Sequence, residues 1–345
     1  MAKRAGGRSK SGAGGRPRGR AAKPRGQAKP PCDAPRVPPR SFEELMERAL
    51  RCAREQGPSV MGVAGAEDAC ALAAAHDAWK LGLVEPVLVG DPDAVARAAR
   101  GEGVDISRWR VVKAADPVAS CRAAVELARK GEVSMLMKGK VQTADLMRAA
   151  LDRETGIRAG SLMSHIAMLS TPEFGRILCM SDGGIVPAPT LEQKAGIIQN
   201  SVGAMRKLGW DCPKVAVVCA FELVNPKLQA TVDAAALAKM NERGQITGCT
   251  VDGPLGFDNA ISEQAAASKG VVGAVAGKAE LVIFSDIDVG NVFYKALAFM
   301  TGGSEHAGVL VGAKVPIVMA SRSDGAEIKR NSIAAGVVIA HAADA

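Results

Sequence analysis

Ser59–Arg100 reads SVMGVAGAEDACALAAAHDAWKLGLVEPVLVGDPDAVARAAR. Two short apolar runs, SVMGVAGA and PVLVG, are each followed by a polar stop and then by residues with helical apolar spacing. Gly82 closes the first of these helices, and Asp91 stands where an N-cap opens the second. Strands that are apolar throughout and linked by helices belong to a parallel sheet covered on both faces. The stretch therefore predicts an α/β fold.

The same rhythm extends in both directions. Upstream, SFEELMERALRCAREQG has Ser41 as a cap, acids in the first turn and helical apolar spacing. Downstream come the strand WRVVKA, the helix VASCRAAVELARKG and the strand VSMLMKG. SLMSHIAMLS and RILCMSD then break the alternation. The link TPEFG is too short for a crossover, so these two strands are expected to pair antiparallel. The helix LEQKAGIIQNSVGAMRKLG, the strand KVAVVCA, a further helix and the strand QITGCTVD resume the pattern. LVIFSD and VPIVMAS are later strands, each with a helix after it. In TVDGPLGFDNAIS (Thr250–Ser262) the chain is expected to turn on Gly253-Pro254 and to start a helix capped by Asp258.

A chain of 345 residues suits two domains, and 48% hydrophobic content fills them. Aromatics are only 3%, so the core is built from Ala, Val, Ile, Leu and Met. No apolar run approaches the ~18 residues of a membrane span, and MAKRAGGRSK lacks the apolar core of a secretory signal. A cytoplasmic protein without membrane partners is expected. The net charge of +8 resides in the first 40 residues, which hold 12 of the 44 Lys and Arg and one of the 36 acids. That Gly-, Pro-, Ala-, Arg- and Lys-rich tail (1–40) cannot bury apolar area and is expected to be disordered. Nucleic-acid contact by the tail is the disfavoured alternative, because it lacks aromatics for base stacking and charge alone gives no specificity. The eight cysteines form no CxxC pair and read as reduced, buried thiols. His76, His165, His306 and His341 have no ligand spacing with them, so no metal site is expected.

In open parallel sheets ligands sit beyond the carboxyl ends of the strands. Here those ends collect polar residues: Lys138-Gly139, with Thr143 as a candidate cap and Asp145 and Arg148 in the next helix; Asp182; Asp286, followed by Gly290-Asn291 and Tyr294-Lys295; and Ser321-Arg322-Ser323-Asp324. One glycine or aspartate after a strand is a turn or a cap. Together Lys138, Lys295 and Arg322 outline an anion-binding face beside helix N-termini. GAVAGKAE is one spacer short of a Walker A loop and lacks its Ser or Thr. His165, in an apolar strand, reads as a core residue, and His306 as a loop or packing residue.

The segments VAGAEDACALAAA, LMKGKVQTADLMRAAL, SDGGIVPAPTLEQKAGIIQNSV, VNPKLQATVDAAALAKMNERGQITGCTVDGPLGFDNAIS, DIDVGNVFYKAL and GAKVPIVMASRSD resemble the phosphate acetyl/butyryl transferase family, in order over roughly residues 42 to 340. LMKG, NERGQITGC and SRSD resemble the butyryl-type members. The resemblance implies a two-domain α/β/α sandwich with mostly parallel sheets and an interdomain cleft, isocitrate/isopropylmalate dehydrogenase-like. It puts 41–152 and 303–345 in one domain and 153–302 in an inserted one. The implied reaction is reversible conversion of a short-chain acyl-CoA, butyryl-CoA favoured, and phosphate to acyl phosphate and CoA. It requires no metal or other cofactor, and the enzyme is expected to be a homo-oligomer. The alternatives are a phosphate acetyltransferase and a non-catalytic acyl-CoA-binding regulatory protein. By the same resemblance Arg322 is the phosphate ligand, Ser321 a hydrogen-bond donor to the reacting oxygens, and Lys138, Gly139, Arg148, Asp258, Asn291 and Lys295 bind substrate. One position departs: where acetyltransferases carry an aspartate proposed to deprotonate the CoA thiol, an ungapped reading places Ile328, beside Glu327, with Asp324 as the substitute base.

Overall fold

Short polar residues start seven of the described helices by accepting a backbone N–H three residues on, which satisfies one of the donors a helix leaves open. They are Ser41, Asp68, Asp91, Asp116, Thr190, Ser262 and Asp286. The computed structural model describes residues 37–160, 162–319 and 325–342. In chain order, α1 (Phe42–Gln56) precedes β1 (Ser59–Ala64), α2 (Ala69–Lys80), β2 (Val84–Gly90), α3 (Pro92–Gly101), β3 (Arg110–Lys113), α4 (Pro117–Arg129), β4 (Met135–Lys138) and α5 (Thr143–Ala150). β5 (Ser164–Ser170) and β6 (Leu178–Ser181) follow. After them come α6 (Leu191–Leu208), β7 (Lys214–Val218), α7 (Gln229–Glu242), β8 (Thr250–Leu255), α8 (Phe257–Ile261), α9 (Glu263–Ser268) and β9 (Leu281–Ile283). The chain closes with α10 (Ile287–Met300), β10 (Glu305–Val311), β11 (Ile317–Val318) and α11 (Ala326–His341).

The strands form one eleven-stranded sheet in the order β3-β2-β1-β4-β11-β10-β5-β6-β9-β7-β8. The first five run parallel, and so do the last four. Between them β10 runs against β11 and against β5, and β5 against β6. The expected antiparallel link of β5 and β6 is present. β10 was not anticipated, and it changes the centre of the sheet. His306, expected as a loop or packing residue, is its second residue, buried and paired with Leu169.

Four local expectations are corrected. Gly253-Pro254 lies inside β8 instead of ending it. β8 is the edge strand, where a residue without an N–H is tolerated, and the register with β7 shifts near this point. Gln245–Cys249 is not strand but the approach to it. Asp258 is the second residue of α8, whose N-cap is Gly256. Ser262 then ends α8 and caps α9, so the single expected helix is two short ones. Likewise Thr143 begins α5, with Gln142 at the N-cap position.

The two faces of the sheet centre differ. On one face Ile166 and Met168 of β5 and Ala307 and Val309 of β10 join the main core, with Leu45, Ile198, Val202 and Ile333 from α1, α6 and α11. On the other face α4 and α5 cover the first parallel run through Cys121, Val125 and Leu146. Phe284 and the aromatic residues of α8 and α10 cover the second. Over β10 and β5 themselves that face is left open. Free thiols are both buried, as at Cys121, whose pKa burial pushes up to about 11, and exposed, as at Cys70 and Cys212.

Candidate active site

A cavity of about 450 Å³ lies over this open face. Because strand side chains alternate, the neighbours of the core residues point the other way. His165 and Ala167 of β5, Met180 of β6, and His306 and Gly308 of β10 form the floor. Lys138 and Thr143 bound it from the first parallel run, Asn291, Tyr294, Lys295 and Phe299 of α10 from the second. Met319 and Ile328 also line it. Among the described residues no carboxylate does. The expected place, beyond the ends of parallel strands, is thus only partly right: the end of β4 and the helix after β9 supply walls, and the floor is a sheet face.

Three of the expected substrate-binding residues meet here. The Lys138 ammonium donates to the carbonyls of Gly139 and Val141, both at 3.2 Å, which holds it at the exit of β4. Asn291 donates its amide N–H to Gly183 O at 3.0 Å, so its side chain fastens the loop after β6 to α10. Glycine is required at that junction, since a Cβ on Gly290 would lie 2.7 Å from Asp182 O. Asp182, buried, turns its carboxylate to the N–H groups of Gly184, Ile185 and Val186 and fixes the same loop. Lys295, one helical turn beyond Asn291, is exposed at the cavity wall.

The others are placed differently. Gly139 is buried under the cleft, where its missing side chain lets β4 close on Gly65, whose carbonyl would be 2.3 Å from a Cβ. Arg148 pairs with Asp145 at 2.6 Å and faces a separate hollow between α4 and α5. Asp258 is exposed and pairs with Lys269 at 3.0 Å; that ammonium holds the carboxyl below its usual range. Neither lines the main cavity. Ser321, Arg322 and Asp324 lie outside the described residues.

Both histidines assigned to packing face the cavity. His306 is 2% exposed, contacts Ser304 Oγ through Nε2 at 2.8 Å, and meets the Tyr294 ring edge to face at 5.5 Å. The part-buried His165 ring fits between two glycines: a Cβ on Gly308 would be 2.6 Å from its Nε2, and one on Gly184 3.4 Å from its Cγ. The signal was available in the antiparallel pairing, which does not require both faces of β5 to be buried.

Among the described residues no three His, Cys, Asp or Glu side chains come together to hold a metal, and no helix is long and apolar enough to cross a membrane. What the cavity offers is ammonium, imidazole and amide groups beside apolar side chains. Such a site suits an anionic substrate with an apolar part.

The chain is that of a transferase class. The sequence profile described as "Phosphate acetyl/butaryl transferase" matches residues 116–337. A phosphate butyryltransferase of Clostridium acetobutylicum is 42% identical over 301 residues, 87% of this chain and 98% of that protein. A phosphate acetyltransferase of Thermotoga maritima is also 42% identical, over 86% of this chain and all of that protein. The crystal structure of a branched-chain phosphotransacylase from Enterococcus faecalis V583 superposes with a TM-score of 0.73 at 30% identity, covering 83% of this chain and 100% of that one. The chain belongs to the phosphate acetyl/butyryl transferase family.

Proposed function

We propose that this protein transfers a short-chain acyl group, butyryl favoured, between CoA and inorganic phosphate, in either direction. The observation that carries the reading is a cleft with lysines from both parallel runs, Lys138 and Lys295, around the apolar side chains of Met180, Phe284, Met319 and Ile328. Phosphate oxygen attacks the thioester carbonyl, and the tetrahedral oxyanion collapses with loss of the CoA thiolate. Positioning and positive charge accelerate such a step, without a metal or other cofactor. Met319 and Ile328, on either side of the Ser321–Asp324 stretch, both line the cavity. We therefore keep Arg322 as the phosphate ligand and Ser321 as a hydrogen-bond donor. Asp258 and Arg148 have no place in this reading, whereas Gly139 and Asn291 act by shaping the cleft.

In this reading the two parallel runs are the two domains of an isocitrate/isopropylmalate dehydrogenase-like architecture, 41–152 with 303–345 and 153–302. In support, the chain leaves the first run after α5 and returns to it through β10 and β11. The free thiols suit a cytoplasmic location. We also read the protein as a homo-oligomer through α10. Val292 and Met300, 68% and 84% exposed, lie with Val289 and Phe299 on an apolar stripe bordered by the exposed Asp288 and Lys295, and a helix stripe can pair with its own copy about a twofold axis. Val292→Glu combined with Met300→Glu is expected to lower the mass measured by sedimentation equilibrium to that of one chain. An unchanged mass removes α10 as the interface.

The activity is tested by following thiol release from acetyl-, propionyl-, butyryl- and isobutyryl-CoA with phosphate, with and without a strong chelator. Phosphate-dependent release, largest for a four-carbon chain and unaffected by the chelator, is expected. Preference for acetyl-CoA makes the protein a phosphate acetyltransferase, and loss of activity with chelator refutes the metal-free mechanism.

A further inference from the structure

Acyl transfer to or from CoA moves a proton as well as an acyl group. In the direction of acyl-CoA synthesis the CoA thiol must lose its proton, because the thiolate is the nucleophile. The cavity must therefore hold a proton acceptor. Among the described residues, the titratable groups facing it are Lys138 from β4, His165 from β5, His306 from β10, and Tyr294 and Lys295 from α10. Lysine and tyrosine side chains ordinarily keep their protons near neutral pH. Asp182, at the end of β6, has both carboxylate oxygens turned to backbone N–H groups of its own loop. Glu327 is exposed, and its neighbour Ile328 is the residue that reaches the cavity. His306 is 2% exposed, with Nε2 engaged by Ser304.

His165 is held differently. Its ring stands on the cavity floor in a slot made by the absence of two side chains, at Gly184 and Gly308. The Ser181 hydroxyl donates to the His165 carbonyl at 2.8 Å and fixes its backbone from β6. The position that a Cβ of Gly308 would fill is 2.6 Å from His165 Nε2 and 3.2 Å from the carbonyl of Met319, beside the exit of β11.

We infer that His165 carries the proton between the CoA thiol and phosphate. The inference rests on the acyl-transfer reading of this cleft. In the direction of acyl-CoA synthesis the S–H proton passes to the imidazole, the thiolate forms the S–C bond, the C–O bond to phosphate breaks, and the imidazolium returns the proton to the departing phosphate. The reverse direction runs the same steps backwards, and protons and electron pairs balance without a further reactant.

The test is the rate of acyl-CoA formation from butyryl phosphate and CoA, measured from pH 7 to pH 9 for the wild type, His165→Gln, Gly308→Ala and Asp324→Asn. His165→Gln is expected to lower kcat about a hundredfold at pH 7, in the usual range for a lost general base. The ratio to wild type is expected to shrink at least about tenfold by pH 9, since a thiol of pKa about 8.5 then ionises unaided. Gly308→Ala, which keeps the imidazole but crowds it, is expected to show a loss with the same pH dependence. Imidazole added to His165→Gly is expected to restore part of the rate. Unchanged thermal melting excludes a folding defect, and a variant that melts early is judged by the imidazole rescue alone. A small or pH-independent loss, absence of rescue, or the pH-dependent loss appearing in Asp324→Asn instead overturns the inference while the wild type is active. An inactive wild type sinks the acyl-transfer reading itself.

Discussion

Arg322→Lys is expected to leave melting unchanged and to slow phosphate-dependent CoA release about a hundredfold, or about 2.7 kcal/mol in the barrier, by analogy with loss of one oxyanion donor. The side chain lies outside the described residues, so the expectation rests on two other facts. It occupies the arginine of SRSD, and Met319 and Ile328 on either side of that motif line the cleft. A guanidinium grips two phosphate oxygens with a planar fork; an ammonium keeps the charge but not the fork. Both kcat and the KM for phosphate should suffer, with the KM for acyl-CoA moving less. If Arg322 only pairs with a surface acid, the substitution costs no more than about 1 kcal/mol of stability and leaves phosphate kinetics near normal.

The largest effect on stability is expected away from the cleft. Lys194 of α6 and Asp233 of α7 pair at 2.7 Å with side chains only 6% and 9% exposed, and Gln229 donates to the second carboxylate oxygen at 2.8 Å. Removing one partner leaves a buried charge uncompensated. Lys194→Met or Asp233→Leu alone should therefore cost about 3–5 kcal/mol. The double variant, with neither charge, should recover most of that loss, since a buried pair contributes little net stability over an apolar one. Denaturant midpoints of the four proteins measure the cycle. Single variants that lose less than about 1 kcal/mol would mean the pair is solvated and behaves as a surface bridge.

The outer parts of this fold were legible because each strand exit carries its own local punctuation. Asp91 announces α3, which the structure confirms, and helical apolar spacing announces the long α6. The centre was not legible. β10 is preceded by a glycine pair, and its first residues, Glu305 and His306, are polar. What makes it a strand is pairing with β5, more than 130 residues earlier in the chain. Without β10 there was no reason to see one sheet face uncovered, and His165 was assigned to the core. Lys138 and Lys295 reach the cavity, and a cation at a strand exit or in the first turns of the next helix is the local signal that marks them. Asp258 carries a similar local signal but does not line the cavity. Its position after a strand is real, but Lys269, a residue eleven places on, claims its carboxylate. The sequence pattern carries no sign of which partner a surface acid will choose.

On the proposed reading, phosphate, not water, receives the acyl group in the cleft between Lys138 and Lys295. The decisive measurement is phosphorus NMR of the protein with butyryl-CoA and inorganic phosphate. A new acyl-phosphate resonance is expected, growing in step with CoA release and consumed when excess CoA is added. Release of CoA with free butyrate and no acyl-phosphate signal would contradict it.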